Sequence, residues 1–382
     1  MNGDRCRGRH GTYEHHACGI VHNMKIGFIG LGLIGGSIAK GLKKAHSDIY
    51  IIAHTRSRDS LLPALNDGVI DEIAEEIDEA FGSCDVIYLC TPVANNRQFL
   101  VLLKDVISEN TIITDVGSTK ADICRSAEGL GMEKNFCGGH PMAGSERSGY
   151  ANSSDHLLEN AFYLLTPTEG TPERAVELLT SLAKDLGSTV KVLSASEHDE
   201  TVAAISHLPH LVACSLVDAV RDNDKNGLMK TLAAGGFKDI TRIASSSPDM
   251  WEQICASNRE PIADYIRKHI ASMEAILSMV EAGDGAGIHE LFSEAGAYRN
   301  SITDSLIGPI DQQFYLYCDL VDRPGAIAEI AVLLATRSIS IKNIGIIQNR
   351  NSEPGALRIQ FYDKRSRDAA AAVLKQYNFL AE

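Results

Sequence analysis

His140 stands in the stretch Gly138-Gly139-His140-Pro141-Met142-Ala143-Gly144-Ser145-Glu146. Imidazole titrates near neutrality, so this ring can take a hydroxyl proton while a hydride leaves the same carbon. The glycines read as a turn that lets the backbone approach a ligand closely. One domain length upstream lies Gly30-Leu31-Gly32-Leu33-Ile34-Gly35, which follows a short apolar run and opens a helical pattern. In that context Gly30 closes a tight turn, Gly32 lets backbone N–H groups meet a pyrophosphate, and Gly35 allows close packing of helix on strand. The helix start at Leu33 and Ile34 favours phosphate charge. Together the two stretches point to redox chemistry on an alcohol with a nicotinamide dinucleotide.

A free ribose 2′-hydroxyl calls for an acid at the end of the next strand. The chain instead reads Ala53-His54-Thr55-Arg56-Ser57-Arg58. Thr55 and Arg56 suit a 2′-phosphate, so NADP is favoured over NAD; the bland alternative makes Arg56 a solvated loop charge.

Three further stretches carry candidate groups. Asp115-Val116-Gly117-Ser118-Thr119-Lys120 ends a strand on the ligand side of an open α/β sheet, where Ser118 can lie beside His140. Ser206-His207-Leu208-Pro209-His210 puts two imidazoles three residues apart on one helical face. A metal reading of that pair lacks a third ligand at a suitable spacing, so no metal is expected. In Gly235-Gly236-Phe237-Lys238-Asp239-Ile240-Thr241-Arg242, Arg242 can fork onto a carboxylate, with Asp239 one helical turn earlier to hold it. The alternative for that pair is a surface salt bridge.

The elements that must position these groups follow from pattern. Apolar runs at 25–29, 49–53, 85–90, 111–116, 161–165 and 189–193 alternate with helical segments, one of them near 172–186. Such alternation predicts a mostly parallel sheet covered by helices over residues 24–193. Ser194 and Glu197 form a capping box, after which a helical pattern runs through Val202, Ile205, Leu208, Val212, Leu216 and Val220. Further helices are expected at 249–257, 260–281 and 288–304. The all-helical segment 194–308 is apolar enough to form the core of a homodimer. Residues 314–379 read strand, helix, strand, strand, helix, with Asn349–Gly355 as a turn and a final short strand at 377–380.

Composition narrows the function classes. A formal net charge of -14 over 382 residues argues against nucleic acid or an anionic membrane surface as main partner. No run of about 18 apolar residues predicts a membrane span. Nine dispersed cysteines without a CxxC pair fit reduced thiols in the cytoplasm better than a disulfide framework. Residues 1–23 hold Cys6, His10, His15 and Cys18 at no common zinc-finger spacing, and read as a disordered extension or as sequence upstream of the true start at Met24.

The ordered series GLGLIG, DVGSTK, GGHPMAGSE, SHLPH and GGFKDITRIA closely resembles the prephenate/arogenate dehydrogenase family of tyrosine biosynthesis, from Met24 to about Ile310. The resemblance implies a Rossmann-type nucleotide-binding domain followed by an all-α dimerisation domain. It also implies oxidative decarboxylation of prephenate to 4-hydroxyphenylpyruvate. His140 would assist deprotonation of the ring 4-hydroxyl, supported by Ser118. Arg242 would hold a substrate carboxylate beside Asp239, and His207, His210 and Trp251 would line the pocket.

Residues 312–382 resemble an ACT domain, a small ferredoxin-like α+β regulatory module, in Asp319-Leu320-Val321-Asp322-Arg323-Pro324-Gly325-Ala326 and Ile341-Lys342-Asn343-Ile344. That resemblance implies an amino-acid effector, tyrosine, held near Gly325, Ala326, Asn343 and Ile344. A dimerisation module without ligand is the alternative. Two further readings stay open for the whole chain. Arogenate is the second substrate, disfavoured because no acid obviously awaits its amine. A non-catalytic dinucleotide or amino-acid sensor would have no need of Ser118, His140 and Arg242.

Overall fold

The computed structural model describes residues 23–144, 147–305, 314–319, 323, 325–347, 356–361, 363–377 and 379. Apart from Asn23, the extension read at 1–23 lies outside the described residues, as do Ser145, Glu146, Pro324 and the turn 349–355. Two compact units divide the chain, one up to Met273 and one from Glu274.

The first unit opens with β1 (Lys25–Ile29), α1 (Leu33–Ala45), β2 (Tyr50–His54), α2 (Leu62–Asn66) and β3 (Glu72–Ile73). It continues with α3 (Glu79–Gly82), β4 (Val86–Leu89), α4 (Val93–Lys104), β5 (Ile112–Asp115) and α5 (Ala121–Gly129). The five strands pair in the order β3-β2-β1-β4-β5, and every pairing is parallel. Parallel strands buried on both faces need apolar residues at successive positions, which explains runs such as Val-Ile-Tyr-Leu in β4. One face packs Phe28 on Tyr88 with ring centroids 5.1 Å apart, beside Ile26, Ile38 and Leu42. The other face gathers Ile29, Ile87, Leu89, Ile113 and Phe136.

Next come β6 (Cys137–Pro141), β7 (Phe162–Pro167), α6 (Glu173–Asp185) and β8 (Thr189–Val192). They form a second sheet, β6-β7-β8, antiparallel at its first pairing and parallel at its second. A parallel bridge between Ile113 and Phe136 ties β6 to the edge of the first sheet. The glycine-rich stretch read as a turn is therefore a strand through Pro141. Gly138 and Gly139 are needed there for space: a Cβ on Gly138 would meet Thr166 Oγ1 at 2.2 Å, and one on Gly139 the Asp115 carbonyl at 2.5 Å.

The helical segment holds α7 (Ala195–Val202), α8 (Leu208–Asn223), α9 (Leu228–Leu232), α10 (Gly235–Thr241), α11 (Pro248–Ser257), α12 (Arg259–Ala282) and α13 (Gly285–Ser305). The expected capping box closes α7: the Ser194 hydroxyl accepts from Glu197 N while the Glu197 carboxylate accepts from Ser194 N. The helix expected to run unbroken through Val220 is interrupted by a π-turn at Ala203–His207. Such wide turns recur at functional sites. By length and composition alone the stretch Ala195–Asn223 is apolar enough to cross a membrane. Val202, Ala203 and Ala213 are buried in the domain, whereas Ile205 and Leu216 are exposed in the single chain.

The second unit takes the end of α12, then α13, β9 (Phe314–Asp319), α14 (Ala326–Ala335), β10 (Ile341–Ile347), β11 (Ala356–Phe361) and α15 (Lys364–Gln376). The strands form an antiparallel sheet ordered β10-β11-β9, with α14 and α15 closing a core of Leu316, Ile330, Leu334, Leu357, Ile359 and Leu374. This is the expected strand-helix-strand-strand-helix order. The final strand is not formed at Tyr377, which sits in a turn, or at Phe379; residues 378 and 380 lie outside the described residues.

Candidate active site

The dinucleotide turn is built from backbone. Gly30 sits at φ +89 between the ends of β1, β2 and β4, and its N–H donates to the His54 carbonyl at 2.8 Å. A Cβ there would lie 2.8 Å from the Cys90 carbonyl oxygen, and one on Gly35 would lie 2.9 Å from both Cys90 Cβ and the Gly30 carbonyl. Gly32, the N-cap of α1, faces open space. The first bond of α1 runs from Gly36 N to the Gly32 carbonyl, so the N–H groups of Leu33, Ile34 and Gly35 precede it. An open cradle with unspent donors at a helix start fits the pyrophosphate of a dinucleotide.

At the end of β2 the Thr55 hydroxyl donates to the Ser57 carbonyl at 2.9 Å and lies 3.0 Å from Ser60 Oγ. Thr55 thus also shapes its own loop. Arg58 pairs with Glu75 at 2.8 Å, and Arg56 is exposed at the loop tip.

A buried polar network surrounds His140 and draws on five separate stretches. Lys120 and Asp115 are fully buried and paired. Lys120 Nζ also donates to the Gly139 carbonyl at 2.8 Å. The Asp115 carboxylate accepts from Gly117 N at 2.9 Å and Gly139 N at 3.2 Å. One side chain therefore ties the loop that carries Ser118 to the strand that carries His140. From α7, Asp199 accepts from Lys120 N at 2.7 Å, Ala121 N at 2.8 Å and His198 Nδ1 at 2.8 Å. His198 Nε2 lies 2.8 Å from His140 Nδ1.

Beyond Asp199, Asn258 Nδ2 donates to its carbonyl at 2.8 Å and to His207 Nδ1 at 3.1 Å. His207 closes the π-turn and is buried. It meets Trp251 edge-on at 5.8 Å, while His210 lies at 4.2 Å from the same indole. The structure so gathers His207, His210 and Trp251 into one cluster, as expected, although His207 lies in the π-turn and His210 in α8. Arg242 opens a 3-10 turn, Arg242–Ser245, that packs on α8. Asp239, in α10, and Arg242 are both exposed, and no ion pair joins them among the described residues.

Burial disfavours the charged form of all three network imidazoles. Desolvation, then the neighbouring His198, Lys120 and His207, keep the His140 pKa well below the ordinary histidine value. Desolvation also lowers His198, opposed by its bond to Asp199. His207 is pushed down to about 4, again mainly by burial. A neutral His140 can accept a proton.

Sequence reasoning placed Asp115 and Lys120 inside a motif without a role, and missed His198, Asp199 and Asn258. The adjacent pair His198-Asp199 just inside a capped helix was the available signal. The effector residues lie in the second unit. Gly325, at φ 88, caps α14 ahead of the buried Ala326. Asn343 is exposed on β10, opposite Gln360 and next to a register irregularity, with Ile344 opposite Ile359.

Comparison with known proteins accounts for most of the chain. The prephenate dehydrogenase nucleotide-binding domain family matches residues 38–192, and the prephenate dehydrogenase dimerization domain family matches residues 194–294. The chain is 41% identical to the prephenate dehydrogenase of Bacillus subtilis over 347 residues, covering 89% of this chain and 93% of that protein. A crystal structure of prephenate dehydrogenase from Aquifex aeolicus, in complex with hydroxyphenyl propionate and NAD+, aligns with a TM-score of 0.70 at 32% identity, over 74% of this chain and 99% of that one. Arogenate dehydrogenase from Synechocystis aligns with a TM-score of 0.67 at 30% identity, over 73% of this chain and all of the other (100%).

Proposed function

The chain belongs to the prephenate dehydrogenase family and is an oxidoreductase with a nicotinamide-dinucleotide fold; on that footing we propose that it converts prephenate to 4-hydroxyphenylpyruvate with His140 as the base. The observation that carries the reading is the His140 ring held 2.8 Å from His198 on a strand that Asp115 ties to the Ser118 loop. When bound, the nicotinamide accepts the hydride leaving the ring carbon that bears the hydroxyl. His140 Nε2 takes the hydroxyl proton and the O–H electron pair becomes the second bond of the carbonyl; as carbon dioxide leaves, its bonding pair makes the ring aromatic and the resulting phenolate takes the proton back from His140. Aromatisation drives the reaction, so the protein's task is orientation and proton acceptance. General-base assistance contributes about 10²–10⁴-fold.

Ser118 supports the contact at the reacting hydroxyl. Arg242, with Asp239 nearby, holds a substrate carboxylate, and the cluster of His207, His210 and Trp251 lines the pocket. Gly30 to Gly35 cradle the pyrophosphate, and Arg56, in a loop with no acid, favours NADP over NAD. The exposed apolar side chains Ile205, Leu216, Leu228, Leu232 and Ile240 support a homodimer that covers them. The free thiols of the seven described cysteines support a cytoplasmic setting. Tyrosine is the proposed effector at the Gly325 turn, with Ala326, Asn343 and Ile344 beside it.

Following reduced-cofactor absorbance with prephenate and with arogenate, each with NAD and with NADP, tests substrate and cofactor together. Prephenate with NADP is expected to give the highest kcat/KM. A preference for arogenate would replace the substrate, and no turnover with any pair would leave a dinucleotide-binding sensor. Adding tyrosine at millimolar concentration is expected to lower the rate or raise Tm, and no shift would leave the second unit as a dimerisation module.

A further inference from the structure

The partners of the His140–His198–Asp199 chain dictate its protons. The Asp199 carboxylate accepts from two backbone N–H groups and has only lone pairs to offer, so His198 Nδ1, 2.8 Å away, must donate to it. A neutral His198 then presents a lone pair at Nε2, and the 2.8 Å contact requires His140 Nδ1 to donate. That leaves His140 Nε2 with the lone pair. A buried carboxylate behind two rings thus fixes the tautomer in which the outermost nitrogen is the acceptor.

A second consequence concerns where positive charge can rest. A cation on His140 would face Lys120 from the start of α5 and the His207 ring from the π-turn, with Asp115 already paired to Lys120. A cation on His198 would also face Lys120, but its Nδ1 lies 2.8 Å from Asp199 Oδ1, and Asp115 adds to the attraction. The inner ring is therefore the better seat for charge.

We propose that His198 and Asp199 are positioning residues that set the tautomer of His140 and draw its acquired proton one ring inward. The inference rests on His140 being the base. As the substrate O–H bond breaks, Nε2–H forms on His140. His140 Nδ1–H then breaks as Nε2–H forms on His198, and the cation rests between His140 and the Asp199 carboxylate. When carbon dioxide leaves, its bonding pair reaches the ring oxygen as a phenolate; the reverse shift returns the proton through His140 Nε2 to that oxygen, which resets both rings. No oxidant beyond the dinucleotide is required.

His198→Gln separates this relay from simple packing. A glutamine oxygen can still accept from His140 Nδ1 but cannot carry the proton. We expect kcat to fall about 10²-fold, at the lower end of general-base assistance, with KM for substrate and dinucleotide little changed. The acid limb of kcat/KM should move to lower pH by about one unit, because the cation must stay on His140. Asp199→Asn should move the limb the same way. Wild-type kcat and an unshifted pH profile in His198→Gln, alongside lost turnover in His140→Asn, would overturn the relay and leave the base standing. Retained turnover in His140→Asn would remove the base itself, and the relay with it. Should neither network variant fold, 15N spectra of histidine-labelled wild type decide: protonated Nδ1 and bare Nε2 at His140 are expected, and the opposite tautomer overturns the proposal.

Discussion

The dinucleotide turn and the histidine network are two ways of making a polar site. The turn is built of backbone and of missing side chains, within six consecutive residues from Gly30 to Gly35. The network is built of side chains from β5, the start of α5, β6, α7 and the junction of α11 with α12, and it spans Asp115 to Asn258. The first can tolerate change wherever its backbone is preserved. The second has buried charges whose partners cannot be removed singly. The difference teaches that the cradle proposed for the dinucleotide is a local motif, whereas the network proposed to handle the proton is a tertiary construction.

The sharpest way to break that contrast is to remove the proposed base. His140→Asn is expected to lower kcat by about 10²–10⁴-fold while dinucleotide affinity stays near wild type. Equal losses in both, measured by steady-state kinetics and fluorescence titration, would mean the two regions are not separable. Next in size is Lys120→Met, which strands Asp115 without its cation in a fully buried site. Unfolding in denaturant should show a loss of about 3–5 kcal/mol. A loss within experimental error would show that the pair contributes nothing to the fold.

Acid should also weaken the network and leave the turn alone. His207, pushed down to about 4, binds fewer protons folded than unfolded across the interval from about 6.5 down to 4. Folding stability should therefore fall as pH falls through that interval, by on the order of 3 kcal/mol from His207 alone. His140 and His198, shifted in the same direction, add to it. A Tm flat between pH 7 and pH 4 would contradict the neutral, buried state of these rings.

Gly35→Val tests the turn from its own side. The new Cβ meets Cys90 Cβ and the Gly30 carbonyl at 2.9 Å, and the carbonyl cannot swing away as a side chain can. About 1–3 kcal/mol of stability and much of the dinucleotide affinity should go, with the kcat of the saturated enzyme better preserved than in His140→Asn. Arg56→Ala should have the smallest effect: a loss of about tenfold in NADP affinity, as for one charge-assisted contact, and none in NAD affinity. An unchanged NADP Kd would return Arg56 to the status of a solvated charge.

Legibility in the sequence followed the same division. The parallel sheet, the capping box at Ser194 and Glu197, and the second unit's strand-helix-strand-strand-helix order were all readable, because each depends on residues a few positions apart. The stretch around His140 was misread as a turn for a related reason. Gly138 and Gly139 look permissive locally, but what demands them is the side chain of Thr166 and the backbone of Asp115 pressing from neighbouring strands. His198 escaped notice because nothing next to it in sequence reveals that His140 lies 2.8 Å away.

By itself the sequence determined which nitrogen and oxygen atoms were available, the βα order that presents Gly30 to Gly35 at a helix start, and the choice of His140 as the candidate base. Only the tertiary structure decided which partner faces each ring, and hence which groups bias its proton and its charge. Periodicity and backbone preference act over a few residues and leave a trace in order. The energy of a charge or a proton depends on distance and burial, which exist only once the strands and helices have met.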